Sequence, residues 1–171
     1  MGWDTVTPIP TYVKVTNGYE DASASGAEYP LQVMNPHYLR RAHSVFDNIG
    51  WLREAWTNPV FISTADAEAA GVSDGDTVLV SSPYGQCVRN ACVYAGLMPG
   101  VVALPHGAWV AVDEETGIDA AGADNYLTGP APNGQGVSGY NSALCKIEKY
   151  TGEALAPDAE QPLRIVCKDG E

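Results

Sequence analysis

Residues 40–53 read "RRAHSVFDNIGWLR". These fourteen positions hold three of the chain's nine Lys and Arg residues and one of its three histidines, in a polypeptide of 171 residues with a formal net charge of −12. A guanidinium presents a rigid fork of N–H donors that suits phosphate and planar heterocycle edges, and backbone N–H groups at a helix start add to the same field. Arg40, Arg41 and Arg53 with His43 and Ser44 therefore read as an anion-recognition corner. They read equally as a satisfied salt-bridge face, with Arg40 and Arg53 opposite Asp47, Glu54 or solvent, or as a docking patch. A His43–Ser44 nucleophile pair is the weakest reading, because sequence neighbours point in different directions on a helix or strand and no G-x-S-x-G accompanies them.

Three further polar groups stand at element boundaries. His106 ends the run "VVALPH" beside Gly107, and Asn125 and Asn141 lie in or at the end of a long Gly- and Asp-rich stretch. An asparagine offers donors and acceptors at low bulk, which suits a pterin or guanine edge, and is equally at home in turns. Cys87, Cys92, Cys145 and Cys167 match no zinc or iron–sulfur spacing, so they read as small apolar or free thiols and any metal is expected to be bound elsewhere. The excess of 21 Asp and Glu over 9 Lys and Arg argues against nucleic acid or an anionic membrane as a general partner. No apolar run approaches the roughly 20 residues needed to cross a bilayer, and "MGWDTVTPIPTY" does not read as an export signal.

The elements that must position these groups are short. Residues 1–28 mix Pro, Thr, Ser and Gly without a period and are expected to be a linker from an upstream domain. "YPLQVM" is a buried strand stopped at Asn35-Pro36, since the residue before proline is held out of the helical region. Val45, Ile49, Leu52 and Trp56 recur at helical spacing interrupted by Gly50. "NPVFIST" is a strand, and "ADAEAAG" a short helix capped by Ser63 or Thr64 and closed by Gly71. "TVLVSS" and "CVRNACVYA" form a hairpin across "PYGQ", and "VVALPH" follows another turn. After Trp109 nearly thirty residues of Gly, Asp, Asn, Pro and Ala intervene before "ALCKIEKY" closes the domain, with Ala143, Cys145 and Ile147 on its inner face. A C-terminal tail is expected over 151–171, in which "LRIVC" has the composition of an edge strand. Short strands with turn chemistry between them suggest a small barrel or sandwich.

Over about residues 29–150, the order "YPLQVM", "RRAHSVFDNIGWLRE", "FISTADAEAAGVSDGDTVLVSSPYGQ", "MPGVVALPHGAW", "NYLT" and "NSALCKIEK" resembles the molybdopterin-dinucleotide-binding domain of the dimethyl sulfoxide reductase family of molybdenum oxidoreductases, and most of all that of its anaerobic members. The resemblance implies a mainly β fold, a six-stranded double-psi β-barrel with short helices. It implies a bis(molybdopterin guanine dinucleotide) cofactor carrying molybdenum, covered on one side by this domain, in a parent enzyme that reduces S-oxides or N-oxides by oxo transfer. By matching positions, the cofactor-binding residues would be Asn35, Arg41, His43, Ser44, Asn48, His106, Asn125, Asn141 and Lys146. No catalytic residue and no metal ligand falls in this chain, and an iron–sulfur cluster would belong to an upstream domain. The implied partners are the upstream domains of the same catalytic subunit, an iron–sulfur electron-transfer subunit and a membrane anchor. The implied parent is prokaryotic, exported and membrane-associated through those subunits, with this fragment itself soluble. Two other readings stay open: a free-standing dinucleotide-binding subunit resembling those of formylmethanofuran dehydrogenases, and a small β-barrel interaction adapter.

Overall fold

The computed structural model describes residues 8–130 and 142–161. Its strands are β1 (Leu31–Met34), β2 (Val60–Ile62), β3 (Thr77–Ser81), β4 (Gln86–Val93), β5 (Val101–Ala103), β6 (Ile118–Asp119) and β7 (Leu144–Lys149), with helical turns α1 (Tyr19–Ala22), α2 (Gly50–Ala55) and α3 (Thr64–Ala70). Neighbours run β2-β5-β1-β7-β3-β4, and a β2–β4 pairing closes the ring, so six strands form a barrel as expected. β6 pairs with the first two residues of β4, on the side where β2 takes its last three. β1 with β5, β2 with β4 and β4 with β6 are parallel, while β2 with β5 and every pairing made by β3 and β7 are antiparallel.

Inward side chains of this ring fill its interior. Val60, Ile62, Val78, Val80, Cys87, Val102, Leu104, Leu127 and Cys145 are fully buried among Val33, Ala143 and Ile147. β7 alternates as expected, with Cys145 and Ile147 inside and Glu148 outside. Burial pushes the Cys87 thiol up to about 12 and the Cys145 thiol up as well, so both behave as apolar core groups. The hairpin between β3 and β4 is closed by Ser82, whose Oγ accepts from the Tyr84 and Gly85 N–H groups at 3.1 and 3.2 Å. α3 begins where the sequence predicts: Ser63 Oγ accepts from Asp66 N–H at 3.1 Å, and Gly71 closes the helix in the left-handed region. Asp66 Oδ2 also accepts from Gly100 N–H at 2.9 Å, which ties the helix to the start of β5.

Two stretches take definite form. Of the span from Val45 to Trp56 one short helix forms, α2, starting at Gly50, and Phe46 with a φ of 77° keeps the residues before it out of the helix; Leu52 is buried while Val45 lies out in a turn. The stretch after Trp109 is partly ordered by one side chain. Asp119, fully buried, accepts from the N–H groups of Ala111, Ala121 and Ala123 at 2.7, 3.0 and 2.5 Å and so replaces strand pairing for three backbone donors. β6 and the 3₁₀ turn Asp124–Leu127 hang on that carboxylate. Residues 8–28 contain α1, with Ala22 buried and Asn17 Nδ2 donating to the Tyr84 hydroxyl at 3.2 Å, and "LRIVC" lies outside the described residues.

Replacing Asp119 by Ala should leave three buried donors without an acceptor and lower the unfolding free energy by roughly 3 kcal/mol, against about 1 kcal/mol for Ser63→Ala at a helix cap. Urea unfolding of the two variants checks the order; an Asp119→Ala variant as stable as Ser63→Ala would contradict the role given to the carboxylate.

Candidate functional site

The positive charge of residues 40–53 is spent inside the molecule. Arg40, Arg41 and Arg53 are 1%, 6% and 1% exposed and Asp47 is 0% exposed. Asp47 Oδ1 accepts from Arg40 Nη2 at 3.0 Å and Arg41 Nη1 at 2.8 Å, and Oδ2 accepts from Trp109 N–H at 3.1 Å. The Asp47 carbonyl accepts from Arg53 Nε at 3.0 Å and from Arg40 Nη2 at 3.1 Å. Arg40 also pairs with Asp158, and Arg53 Nη1 donates to the Gln161 carbonyl at 2.8 Å, so the start of the C-terminal tail, as far as Gln161, is pinned to the cluster. A guanidinium taken out of water must be paired and hydrogen-bonded, and here a carboxylate and several carbonyls do it.

Arg41 is therefore not a donor displayed at an open corner. Its remaining N–H groups go to the His106 carbonyl at 3.1 Å, Asn58 Oδ1 at 2.8 Å and the Pro105 carbonyl at 3.1 Å, which makes it a brace under the 105–109 turn. Arg40 and Arg53, expected at the surface, are buried with it. Asn48 Oδ1 accepts from Arg53 Nη2 at 3.1 Å and belongs to the same network.

What the braces hold up is a cluster of all three histidines. The ends of the parallel pair β1 and β5 lie side by side, with Leu104 N–H donating to the Met34 carbonyl at 2.8 Å and His106 N–H to the Pro36 carbonyl at 3.2 Å. That brings Asn35 and His37 next to His106. His43 arrives on a tight turn closed by mutual hydrogen bonds between Ala42 and Val45 at 3.2 and 3.0 Å. Ring centroids are 4.5 Å apart for His37 and His106, 5.2 Å for His37 and His43, and 5.0 Å for the stacked His43 and His106 rings. Gly107 makes this approach possible: its φ is 89°, and a Cβ there would overlap the His43 carbonyl.

Asp124, 4% exposed, joins the two sides, its Oδ1 accepting from Gly107 N–H at 3.0 Å and its Oδ2 from Asn35 Nδ2 at 3.1 Å. With its amide nitrogen so engaged, Asn35 leaves Oδ1 buried without a partner, and His106 Nε2 is buried and unpartnered likewise. Burial holds the His106 imidazole below its usual range, the nearby His37 adds to the effect, and Asp124 opposes it. The corner thus offers a carbonyl oxygen for an N–H, a neutral imidazole nitrogen, and the faces of two stacked rings. This set can read a polar heterocycle or, once protonated, hold an anion. Among the described residues no group of His, Cys, Asp or Glu is arranged to hold a metal ion.

The other predicted residues are spread around the corner. Ser44 is exposed, and its carbonyl accepts from Trp109 Nε1 at 2.8 Å. Asn125 is exposed on the 3₁₀ turn next to Asp124, its carbonyl accepting from Thr128 Oγ1 at 3.0 Å. Lys146 lies on β7, paired with Glu148 at 2.9 Å, and Asn141 lies outside the described residues. Sequence reasoning missed His37, Asn58, Asp124 and Arg89. Arg89, 1% exposed within β4, donates to the carbonyls of Pro59 and Pro105 at 3.0 and 3.1 Å and to Gly122, and burial lowers its guanidinium to about 10. His37 carries a signal, since it stands three residues beyond the end of β1 and two beyond Asn35.

The family model described as "Molydopterin dinucleotide binding domain" matches residues 31–143. The probable dimethyl sulfoxide reductase chain YnfF of Escherichia coli K12 is 35% identical over 84% of this chain. Dimethyl sulfoxide reductase DmsA of the same organism is 34% identical over 85%, and the dimethyl sulfoxide/trimethylamine N-oxide reductase of Rhodobacter capsulatus 32% identical over 91%. The chain spans only 18–19% of these relatives' length. In fold it is similar to acetylene hydratase from Pelobacter acetylenicus, at a TM-score of 0.57 and 22% identity, over 72% of this chain and 19% of that one. No helix among the described residues is long and apolar enough to cross a membrane.

Asp47→Ala should strand two buried guanidinium groups and destabilise the chain by about 3–5 kcal/mol, read as a lower thermal or urea midpoint. A second measurement concerns His106. Its folded-state pKa lies below the unfolded value of about 6.5, so the folded chain binds fewer protons and loses stability as pH falls through that value. Imidazole NMR should find His106 titrating below an ordinary histidine, and His106→Gln should flatten the stability loss between about pH 7 and pH 5.

Proposed function

The chain belongs to the molydopterin dinucleotide binding domain family, and from that premise we propose that its histidine corner covers one end of a bis(molybdopterin guanine dinucleotide) cofactor within a larger molybdenum oxidoreductase. The observation that carries the assignment of the corner is the pair of buried, unpartnered atoms, Asn35 Oδ1 and His106 Nε2, set side by side with a stacked imidazole inside the matched span. Both suit a pterin or guanine edge, which presents ring nitrogens and an amino group in one plane. When bound, the cofactor supplies a molybdenum centre that exchanges an oxygen atom together with two electrons.

This chain's own residues bind and orient. Asn35 Oδ1 accepts an N–H from the ligand, with Asp124 fixing the amide so that its oxygen and not its nitrogen faces out. His106 Nε2 accepts a hydrogen bond, or donates one after taking a proton as a phosphate approaches. His37 and His43 line the same corner, and Ser44, Asn48 and Asn125 stand around it. Arg41 acts through the His106 carbonyl it braces and not through direct contact. Lys146 and Asn141 are proposed as outer contacts.

The larger enzyme is proposed to reduce S-oxides or N-oxides, as the names of the relatives suggest. An iron–sulfur cluster in an upstream domain, an iron–sulfur electron-transfer subunit, a membrane anchor and export of the whole assembly are part of the same proposal. So is the division into a linker over 1–28, the binding domain over 29–150 and the segment 151–171 that follows it.

In the full polypeptide, His106→Ala and Asn35→Ala should each reduce retained molybdenum about 5- to 10-fold, the equivalent of one lost hydrogen bond; His106→Ala should do so with little change in the thermal midpoint of the 171-residue chain, while Asn35→Ala should also lower that midpoint, because Asp124 Oδ2 loses its partner. Unchanged molybdenum content in both would end the assignment of this corner. The 171-residue chain by itself should show no turnover of dimethyl sulfoxide with reduced viologen.

A further inference from the structure

A cavity of about 610 Å³ opens between the stretch 110–121 and the segment 150–161, and it shares no residue with the histidine corner. Val88, Val110, Ala111, Ile118, Ala120 and Leu155 give it an apolar lining, and two exposed carboxylates, Asp113 and Glu153, stand among them. Apolar lining left open to water on a chain of net charge −12 marks an interaction site.

One wall of the cavity is an unpaired strand edge. Val112 faces Asp119 of β6 in an antiparallel bridge, with Asp113 N–H donating to the Ile118 carbonyl and Ala120 N–H to the Ala111 carbonyl, both at 2.9 Å. That pattern turns the N–H and C=O of Val112 itself away from β6. Among the described residues no hydrogen bond reaches the backbone N–H or C=O of Val110 or Val112, and the two residues are 50% and 37% exposed. An edge of this kind is a template for one more strand.

The occupant follows from what comes after Gln161. Gln161 lines the cavity and its carbonyl accepts from Arg53 Nη1 at 2.8 Å, so the backbone is fixed at the cavity wall where the next residues leave it. Those residues read "PLRIVCKDGE". In an extended segment Leu163, Ile165 and Cys167 share one face, and Arg164, Val166 and Lys168 the other. Pro162 stands at the start, where a strand tolerates a missing N–H. Arg164 and Lys168 are two of the chain's nine Lys and Arg residues, and they follow directly on a wall that carries Asp113 and Glu153. Residues 162–167 reach about 20 Å when extended, enough to cross a cavity of this volume, and a short tether presents them at an effective concentration of order mM. We propose that residues 162–168 dock in this cavity as an added strand along 110–112, with Leu163 and Ile165 against its apolar lining and Arg164 and Lys168 beside Asp113 and Glu153. This docking is independent of what the histidine corner binds.

Amide hydrogen exchange followed by NMR tests the docking in the 171-residue chain, in its Ile165→Asp variant and in a chain shortened to end at Gln161. The Val110 and Val112 amides should exchange at least about tenfold more slowly in the 171-residue chain than in the other two, while the β3 and β4 amides stay equally slow in all three and so report an intact barrel. Should the shortened chain fail to fold, Ile165→Asp decides alone, since that side chain lies outside the barrel strands. Equal exchange at Val110 and Val112 in the 171-residue chain and in Ile165→Asp would overturn the proposal. So would protection of these amides that size exclusion ties to a dimer, because a second copy and not residues 162–168 would then cover the edge.

Discussion

One carboxylate governs the functional end of this barrel. Asp47 takes a guanidinium N–H from Arg40, another from Arg41 and a backbone N–H from Trp109, while its own carbonyl takes donors from Arg40 and Arg53. Two loops that carry histidines, one following β1 and one following β5, are held at a fixed distance by this group and by the Arg41 donation to the His106 carbonyl. The closed ring of strands fixes where the loops start; Asp47 fixes where they meet. Because Asp47 and its three arginine partners are buried, the interaction acts at low dielectric, where an unpaired member is costly and the paired arrangement is correspondingly unique.

The second carboxylate, Asp124, works on the ligand side of the same turn. It holds Gly107 and Asn35 together and adds a negative field beside His106, opposing the desolvation and the neighbouring imidazoles that lower that ring's pKa. The balance leaves an imidazole that is neutral in water yet sits where an approaching anion would favour its proton.

The sequence was readable where structure is decided locally. Ser63 and Gly71 delimit α3 because a cap and a left-handed residue act on backbone groups within one turn. The alternation in "ALCKIEKY" told inside from outside for the same reason. The corner was legible in part: Asn35, His43 and His106 stand at strand ends and turns, and the structure gathers them. Asp47 as a partner of Arg40 and Arg53 is legible in the sequence, but the burial of the whole cluster is not, since charge type is visible in a sequence and solvent exclusion is not. Arg89 interrupts an otherwise ordinary strand and gives no hint that three carbonyls await it inside. Asp119, one acid among many in a Gly-rich stretch, could not be told from its solvent-facing neighbours, because its three backbone donors come from residues that only the fold brings around it.

The ion pair between Arg40 and Asp158 joins residues 118 positions apart. On a ribosome, Arg40 emerges long before its partner, and so does β1 before β7, the strand it needs to complete the ring. Arg40 therefore spans two stages of synthesis: its Asp47 partner is made seven residues later, whereas its second carboxylate, Asp158, is made only after β7, so the network around Arg40 is completed only once the ring of strands can close.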